Sequence, residues 1–335
     1  MPLSPQEEDN VTLWKPGKNP FYEVYYLKWN DPRQGVAAWL RYTLLARPGQ
    51  EAEASIWGVF FDAKDPKATV GLKKTYSLRE TRIEREIFYF SAGPSAIYDG
   101  GARGEISNEK NKISWELKFE PGLSLRPYPS LLYLTGFPKT KYVAPFVSTR
   151  LSGEFEINGQ KFLLDRVPAH QGHLWGTEHA TSWVWGNCNT FEEDTEFYFD
   201  GLSARMTLGE KLSPPMTLLF FYWEGQLYSF NSPLAWRRNK SEHQLDRWHF
   251  EAGTKEILFV GDISAHPEEM VGVRYQDPTS GERFCHNTKI ANAQIQILKK
   301  NKAGWDVVKT LNAQKSAAFE VVEPLLDKRV RLVIP

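Results

Sequence analysis

Residues 168–189 read PAHQGHLWGTEHATSWVWGNCN and hold three of the chain's seven histidines and three of its twelve tryptophans. Imidazoles exchange protons near neutral pH, and indoles offer flat apolar faces to oily or cationic groups. If the stretch is extended, alternation sets Gln171, His173 and Trp175 on one face. In the following strand it sets Thr181, Trp183, Trp185, Asn187 and Asn189 on one face, with Ser182, Val184, Gly186 and Cys188 opposite. The small face suits a close-packed neighbour, and the large polar-aromatic face suits the wall of a ligand cavity. It equally suits a core whose indole and imidazole groups find partners. His170, His173, His179 and Glu178 are metal-ligand types. No His-Glu-x-x-His occurs, however, and helical spacing is lacking, so no metal site is expected.

The elements that would position these residues read as strands. Period-2 runs of β-branched and aromatic residues, bounded by Gly, Pro, Asn and Asp, recur from end to end. The clearest are 21–29, 37–45, 54–61, 87–91, 112–119, 153–164, 181–187, 195–200, 216–223, 248–250, 256–260, 271–275 and 291–298. Within 153–164, Asn158-Gly159 marks a hairpin turn, because both residues accept positive φ. Asn30-Asp31-Pro32 and Asp277-Pro278-Thr279-Ser280-Gly281 mark further turns. No glycine-rich phosphate loop follows a strand, so nucleotide binding has no support. The expected class is all-β, with antiparallel strands forming barrels or sandwiches. At about 150 residues per domain, 335 residues make two cores. A faint echo of the aromatic strands near Trp29-Asn30 by those near Trp185-Gly186-Asn187 fits two similar halves, 1–172 and 173–335. No Gly/Ser linker separates them, so they should pack closely.

Composition narrows the partners. With 41 basic and 41 acidic side chains the net charge is zero, which excludes the electrostatic footprint of a nucleic-acid binder. Mean hydropathy is −0.48, and no apolar run approaches the roughly 18 residues of a membrane helix. Peripheral membrane contact stays open, as does the oligomeric state. The acidic opening MPLSPQEEDN does not resemble a secretory signal, so a cytoplasmic location is expected. Cys188 and Cys285 read as two buried thiols. Aromatic residues reach 14%, pointing to β-structure around something flat or greasy.

The hairpin running into Gly172-His173-Leu174-Trp175-Gly176, then Trp183-Val184-Trp185-Gly186-Asn187-Cys188-Asn189 and an aromatic strand with Gly201-Leu202, resembles a known group. It is the lipocalin-like superfamily containing AttH-like proteins, carotenoid 1,2-hydratases and tocopherol cyclases. FYEVYYLKW at 21–29 is similar to that family's first strand. The resemblance implies two tandem lipocalin-like antiparallel β-barrel (calycin-like) domains. In the hydratase branch a Gly-His-x-Trp motif is followed by Tyr-x-Asp, and Tyr198-Phe199-Asp200 stands at a similar, slightly shorter interval. The resemblance therefore implies His173, Trp175, Tyr198 and Asp200 as site residues. It also implies acid-assisted hydration, cyclisation or isomerisation of a hydrophobic unsaturated small molecule (an isoprenoid, polyketide or other lipid) without a cofactor.

Such chemistry needs a carboxyl kept protonated by desolvation, for which Asp200 is the candidate and Glu178 the reserve. Trp175, Trp183 and Trp185 would stabilise a carbocation. His173 would orient the acid or deprotonate water, and Tyr198, Asn187 and Asn189, with Gln171 beside them, would fix a polar substrate end. Alternatively Asp200 ends a strand before Gly201 for conformational reasons alone. Catalysis stays open at this stage, since the same aromatic cavity would serve a non-catalytic lipid carrier. A carbohydrate-active sandwich is the third reading. There Glu192 and Asp194 would need to sit about 5 Å apart as a glycosidase pair.

Overall fold

The computed structural model describes residues 4–279 and 281–335. The chain builds two large, mainly antiparallel sheets, the first running through Gly176 and the second beginning at Ser182. In the first, β1 (Phe21–Asp31), β2 (Val36–Ala46), β3 (Glu53–Asp62) and β4 (Val70–Ser77) form a meander. They are followed by β5 (Lys112–Phe119), β6 (Thr140–Ile157) and β7 (Gln160–Gly176). Strand β7 returns to pair with β1, giving the order β4-β3-β2-β1-β7-β6-β5, and short strands within 81–107 extend the sheet beyond β5. The second half repeats this plan. It uses β8 (Ser182–Cys188), β9 (Tyr198–Arg205), β10 (Met216–Trp223), β11 (Val271–Gln276), β12 (Glu282–Lys300) and β13 (Trp305–Glu323), in the order β10-β9-β8-β13-β12 with β11 on β12. Strand β8 thus takes the place of β1. Among the described residues no helix is long and apolar enough to cross a membrane.

The β6–β7 hairpin turns at Asn158 (φ 52°) and Gly159 (φ 86°), with Ile157 opposite Gln160. Several elements differ from the sequence reading, which did not include β4, residues 140–152 of β6, residues 165–176 of β7 or most of the short strands within 81–107. Strand β9 starts at Tyr198 rather than 195, because the Asp194 carboxylate accepts the Glu196 and Phe197 backbone N–H groups and holds a turn there. Strand β13 escapes the period-2 test because its first four residues are exposed and its end is buried on both faces.

Every residue of β1 and β2 is buried. Phe21, Tyr25, Leu27 and Trp29 point into the first half's own core. The alternate residues Tyr22, Val24 and Tyr26 are buried on the other face, toward the seam with the second half. In the second half, Phe199 stacks on Phe250 at 4.4 Å and Phe221 on Phe259 at 4.3 Å, filling that core with rings. A third apolar layer joins the halves, with Trp39, Trp57 and Phe61 meeting Trp185, Phe220 and Tyr275. Both sheets are therefore sandwiched, and burial of each large apolar side chain contributes about 1.5–3 kcal/mol.

Two of the polar contacts in this seam cross it, Lys28 with Asn189 and Asn30 with Lys289, and the rest tie together groups of one half. Lys28 Nζ donates to Asn30 (3.2 Å) and Asn189 (3.1 Å). Asn30 donates to the Lys289 carbonyl (2.6 Å), and Lys289 Nζ donates to Asn287 (2.5 Å) and Glu320 (2.8 Å). At the far end of the first sheet, the N-terminal segment is tied down by a second polar set. Asn10 and Gln171 exchange amide hydrogen bonds of 3.1 and 2.9 Å. Glu23 accepts the backbone N–H groups of Leu13 (2.8 Å) and Trp14 (2.9 Å), and His173 lies between Glu23 (2.9 Å) and the Asp9 carbonyl (2.6 Å). Removing the buried acceptor leaves those donors unsatisfied. Glu23→Ala should lower unfolding free energy by about 3–5 kcal/mol, read as a fall in the urea midpoint with unchanged slope.

Candidate functional site

The seam is not filled everywhere. Between the outward faces of β1–β2 and β8–β9 lies a cavity with about 170 Å³ of space for the centres of water-sized molecules, far beyond the roughly 10–15 Å³ that one water needs. Its walls are Trp39, Trp183, Trp185, Leu174, Leu202 and Tyr275, and it meets solvent past Phe137 and Glu178. Alternation aims these side chains, since both sheets keep their own cores on the opposite face.

Its floor is a hydrogen-bonded cluster of two phenols and an imidazole. The Tyr26 hydroxyl donates to that of Tyr142 (3.1 Å), and both lie within reach of His170 Nε2 (3.0 and 3.2 Å). His170 Nδ1 donates to the Val147 carbonyl (3.2 Å), which leaves Nε2 to accept from the Tyr142 hydroxyl. The Tyr26 ring crosses directly over Gly172, where a Cβ would stand 2.4 Å from the ring. Behind the imidazole sits Asp200, 4.0 Å from Nδ1 and bonded by Asn187 at 3.2 Å. Burial pushes the Asp200 carboxyl up to about 7, against the opposing pull of the Asn187 hydrogen bond and the Lys28 charge. Burial and the Lys28 charge push His170 down to about 3, so it is neutral. Tyr26 and Tyr142 are raised by burial and then by the Asp200 charge. The Trp185 indole N–H, beside Asp200, and the Asn187 carbonyl oxygen are sealed from solvent without a partner.

The opposite wall carries a second pair. His179 Nδ1 donates to Asp277 (3.2 Å), which also accepts the His179 backbone N–H (2.9 Å). Asp277 is held in turn by Thr279. Burial alone would raise Asp277, but the hydrogen bonds from His179 and Thr279 outweigh it and hold the carboxylate ionised well below its ordinary range. His179 is lowered by burial, with its Nε2 buried and unpartnered in the cavity wall. Its ring stacks on Tyr22 at 4.2 Å and lies 6.1 Å from that of Trp183. Such a pair can take a proton, because the carboxylate fixes the tautomer and stabilises the imidazolium.

The structure divides the residues singled out in the sequence. Trp183, Trp185 and Glu178 line the cavity, Glu178 at its mouth in an ion pair with Lys139. Asp200 and Asn187 lie beneath the floor, and Asn189 is bound into the seam by Lys28. Gln171, His173 and Trp175 do share a face, but it is the one turned into the first half. There His173 stacks on Tyr25 at 4.4 Å and binds Glu23. Tyr198 stacks on Tyr222 at 5.4 Å, outside the cavity lining. Glu192 is exposed and Asp194 caps its turn. The three histidines face separate surroundings, and among the described residues no group of three His, Cys, Asp or Glu could hold a metal.

Sequence reasoning missed Tyr26, Tyr142, Arg41 and the pairing of His179 with Asp277. The available signal was charge or a doubled aromatic inside an apolar run, as in AAWLRYTLL and EVYYLKW. Asp277 was visible only as a turn former. Its partner lies 98 positions away.

Comparisons with known proteins agree with this architecture. An uncharacterised protein of Mycobacterium tuberculosis (strain H37Rv) is 21% identical over 298 residues, covering 87% of this chain and 85% of that one. A putative AttH from Nitrosomonas europaea superposes with a TM-score of 0.54 at 11% identity, over 92% of this chain and 93% of that one. Kievitone hydratase from Nectria haematococca gives 0.52 at 9% identity, over 90% and 88%. The fold is thus all-β and lipocalin-like, in two sheets. The sequence profile described as tocopherol cyclase-like matches residues 144–322, from inside β6 to the end of β13. Because that match covers more than half of the sequence and reaches both sheets, the chain belongs to the tocopherol cyclase-like family.

Proposed function

We propose that the seam cavity is the active site of a hydratase or cyclase acting on an apolar small molecule with a conjugated double bond. The observation that carries this reading is the opposition, across an indole-lined cavity, of an imidazole in the wall whose unpartnered Nε2 would turn outward to meet the guest (His179) and a pair of phenols backed by a carboxyl that titrates near neutrality. His179 takes a proton from water as the oxygen adds to one carbon, and Tyr26 or Tyr142 protonates the other end of the conjugated system. Imidazolium and phenolate then exchange the proton through solvent, restoring both. In ring closure the substrate's own hydroxyl replaces water. A phenol is a weak acid, which is why conjugation is required of the substrate. The Trp183 ring, 6.1 Å from that of His179, adds about 1–2 kcal/mol to the imidazolium that forms there in a dry site. The hydratase name of one structural neighbour and the family's own name support the reaction class.

Asp200 acts through the phenols. Ionised, it raises their pKa values and weakens them as acids; protonated, it does not. Turnover should fall as pH rises through about 7, and Asp200→Asn should abolish that limb, as read from kcat against pH. If the limb survives in the Asn variant, Asp200 has no such role. His179→Ala and Tyr142→Phe should each lower kcat by roughly 10²–10⁴-fold. Native mass spectrometry of the purified protein would identify an organic guest to use as substrate. A parent protein that binds such guests saturably and converts none would be a carrier.

Stability follows from the same carboxyl. Its folded pKa of about 7 lies above the ordinary 3.8. Its stabilising contribution is therefore full below about pH 4 and lost as pH rises through 7, a difference on the order of 4 kcal/mol. Asp200→Asn should accordingly compare more favourably with the parent in Tm at pH 8 than at pH 5.

A further inference from the structure

Among the described residues, Arg41 is the charged wall residue that neither the chemistry above nor an ion pair engages. It lies in the middle of β2, 6% exposed. Its Nε donates to Thr43 at 3.1 Å, and among the described residues it has no carboxylate partner. Instead the guanidinium lies over the Tyr275 ring at 4.1 Å and the Trp57 ring at 5.2 Å. It lines both the main cavity and a small adjoining one of about 20 Å³, and its remaining N–H groups are not sealed off from that space. The neighbouring charges are otherwise engaged. Lys139 pairs with Glu178, Lys289 with Glu320, Glu53 with Arg47, and Asp277 with His179. Lys73 lies over the Trp57 ring at 4.3 Å.

A buried cation without an acid is costly, and aromatic faces offset only part of that cost. The two in-plane N–H groups of a guanidinium that lines a cavity match the two coplanar oxygens of a carboxylate. A phosphate would call for more donors than this wall offers, since His179 presents an acceptor there and the Tyr22 and Thr140 hydroxyls bind each other at 2.6 Å.

We propose that Arg41 seats a carboxylate, so that the site takes amphiphilic acids whose oily, unsaturated portion lies along Trp183, Leu174 and Leu202. This deepens the reading of the cavity as a substrate site and rests on it. The arrangement orients the guest, because the acid end is fixed near His179 and the double bond is carried toward the phenols.

The test uses a saturated probe that cannot react, sodium decanoate, against 1-decanol, by calorimetric titration of the full chain at pH 8. The parent should bind decanoate about tenfold or more tightly than decanol. Arg41→Gln should bring decanoate down to the decanol level while decanol affinity stays within about twofold. Arg41→Lys, which keeps charge without the planar fork, should lose at least about threefold in decanoate affinity, and it stands in should the Gln variant not fold. Equal affinities in the parent, no saturable decanoate binding, or a preference that survives Arg41→Gln would overturn the proposal. The readout needs no turnover. A missing carboxylate preference therefore counts against this seat, whereas binding without conversion of unsaturated acids counts against the acid–base reading.

Discussion

Burial of both faces of the central strands is the constraint from which the rest follows. A sheet with one wet face can send its polar side chains to water, but β1, β2 and most of β8 and β9 have no such face. Each polar group on their outward sides needs a partner inside the seam or bears the cost of desolvation. Lys28 finds Asn189 of the other half, and Asn30 finds the carbonyl of Lys289. These bonds also fix register. A slip of one residue would turn Lys28 into the first core and Trp29 into the seam.

The cavity lies in the seam, while the ring-rich cores of the two sheets lie on the opposite faces. Its phenols, Arg41 and indoles stand on strands whose positions are set by cores on the opposite face, whereas His179 and Asp277 sit in the loops that follow β7 and β11 and are held by their own hydrogen bonds. The seam's electrostatics are poised as well. Burial brings the Lys28 amine down to about 8 while it carries Asp200 up to about 7, so the two groups change charge within a narrow range of pH. His170, pressed between burial and the Lys28 charge, stays neutral through that range and keeps Nε2 available to the Tyr142 hydroxyl.

The all-β class and the Asn158-Gly159 hairpin were legible because alternation and turn chemistry are local properties. So was the shared seam face of Trp183, Trp185, Asn187 and Asn189. Alternation tells which residues share a face but not what lies opposite it. Gln171, His173 and Trp175 were thus correctly grouped, yet nothing local says that their face looks inward, where His173 meets Glu23 across 150 positions. The same limit hid His179 with Asp277, and Tyr26 with Tyr142, 116 positions apart. Strand β13 was lost for a different reason, since a strand that is wet at one end and doubly buried at the other has no single period.

Because the chamber is bounded by two units that each close on their own interior, its shape is encoded apart from the residues that make those units fold. Substitutions at Trp39, Leu174, Leu202 or Met216 can recut the chamber without touching Trp29, Phe155, Phe199 or Phe250. A lineage built this way can exchange one guest molecule for another by drift along a single internal boundary, with the paired scaffolds inherited unchanged.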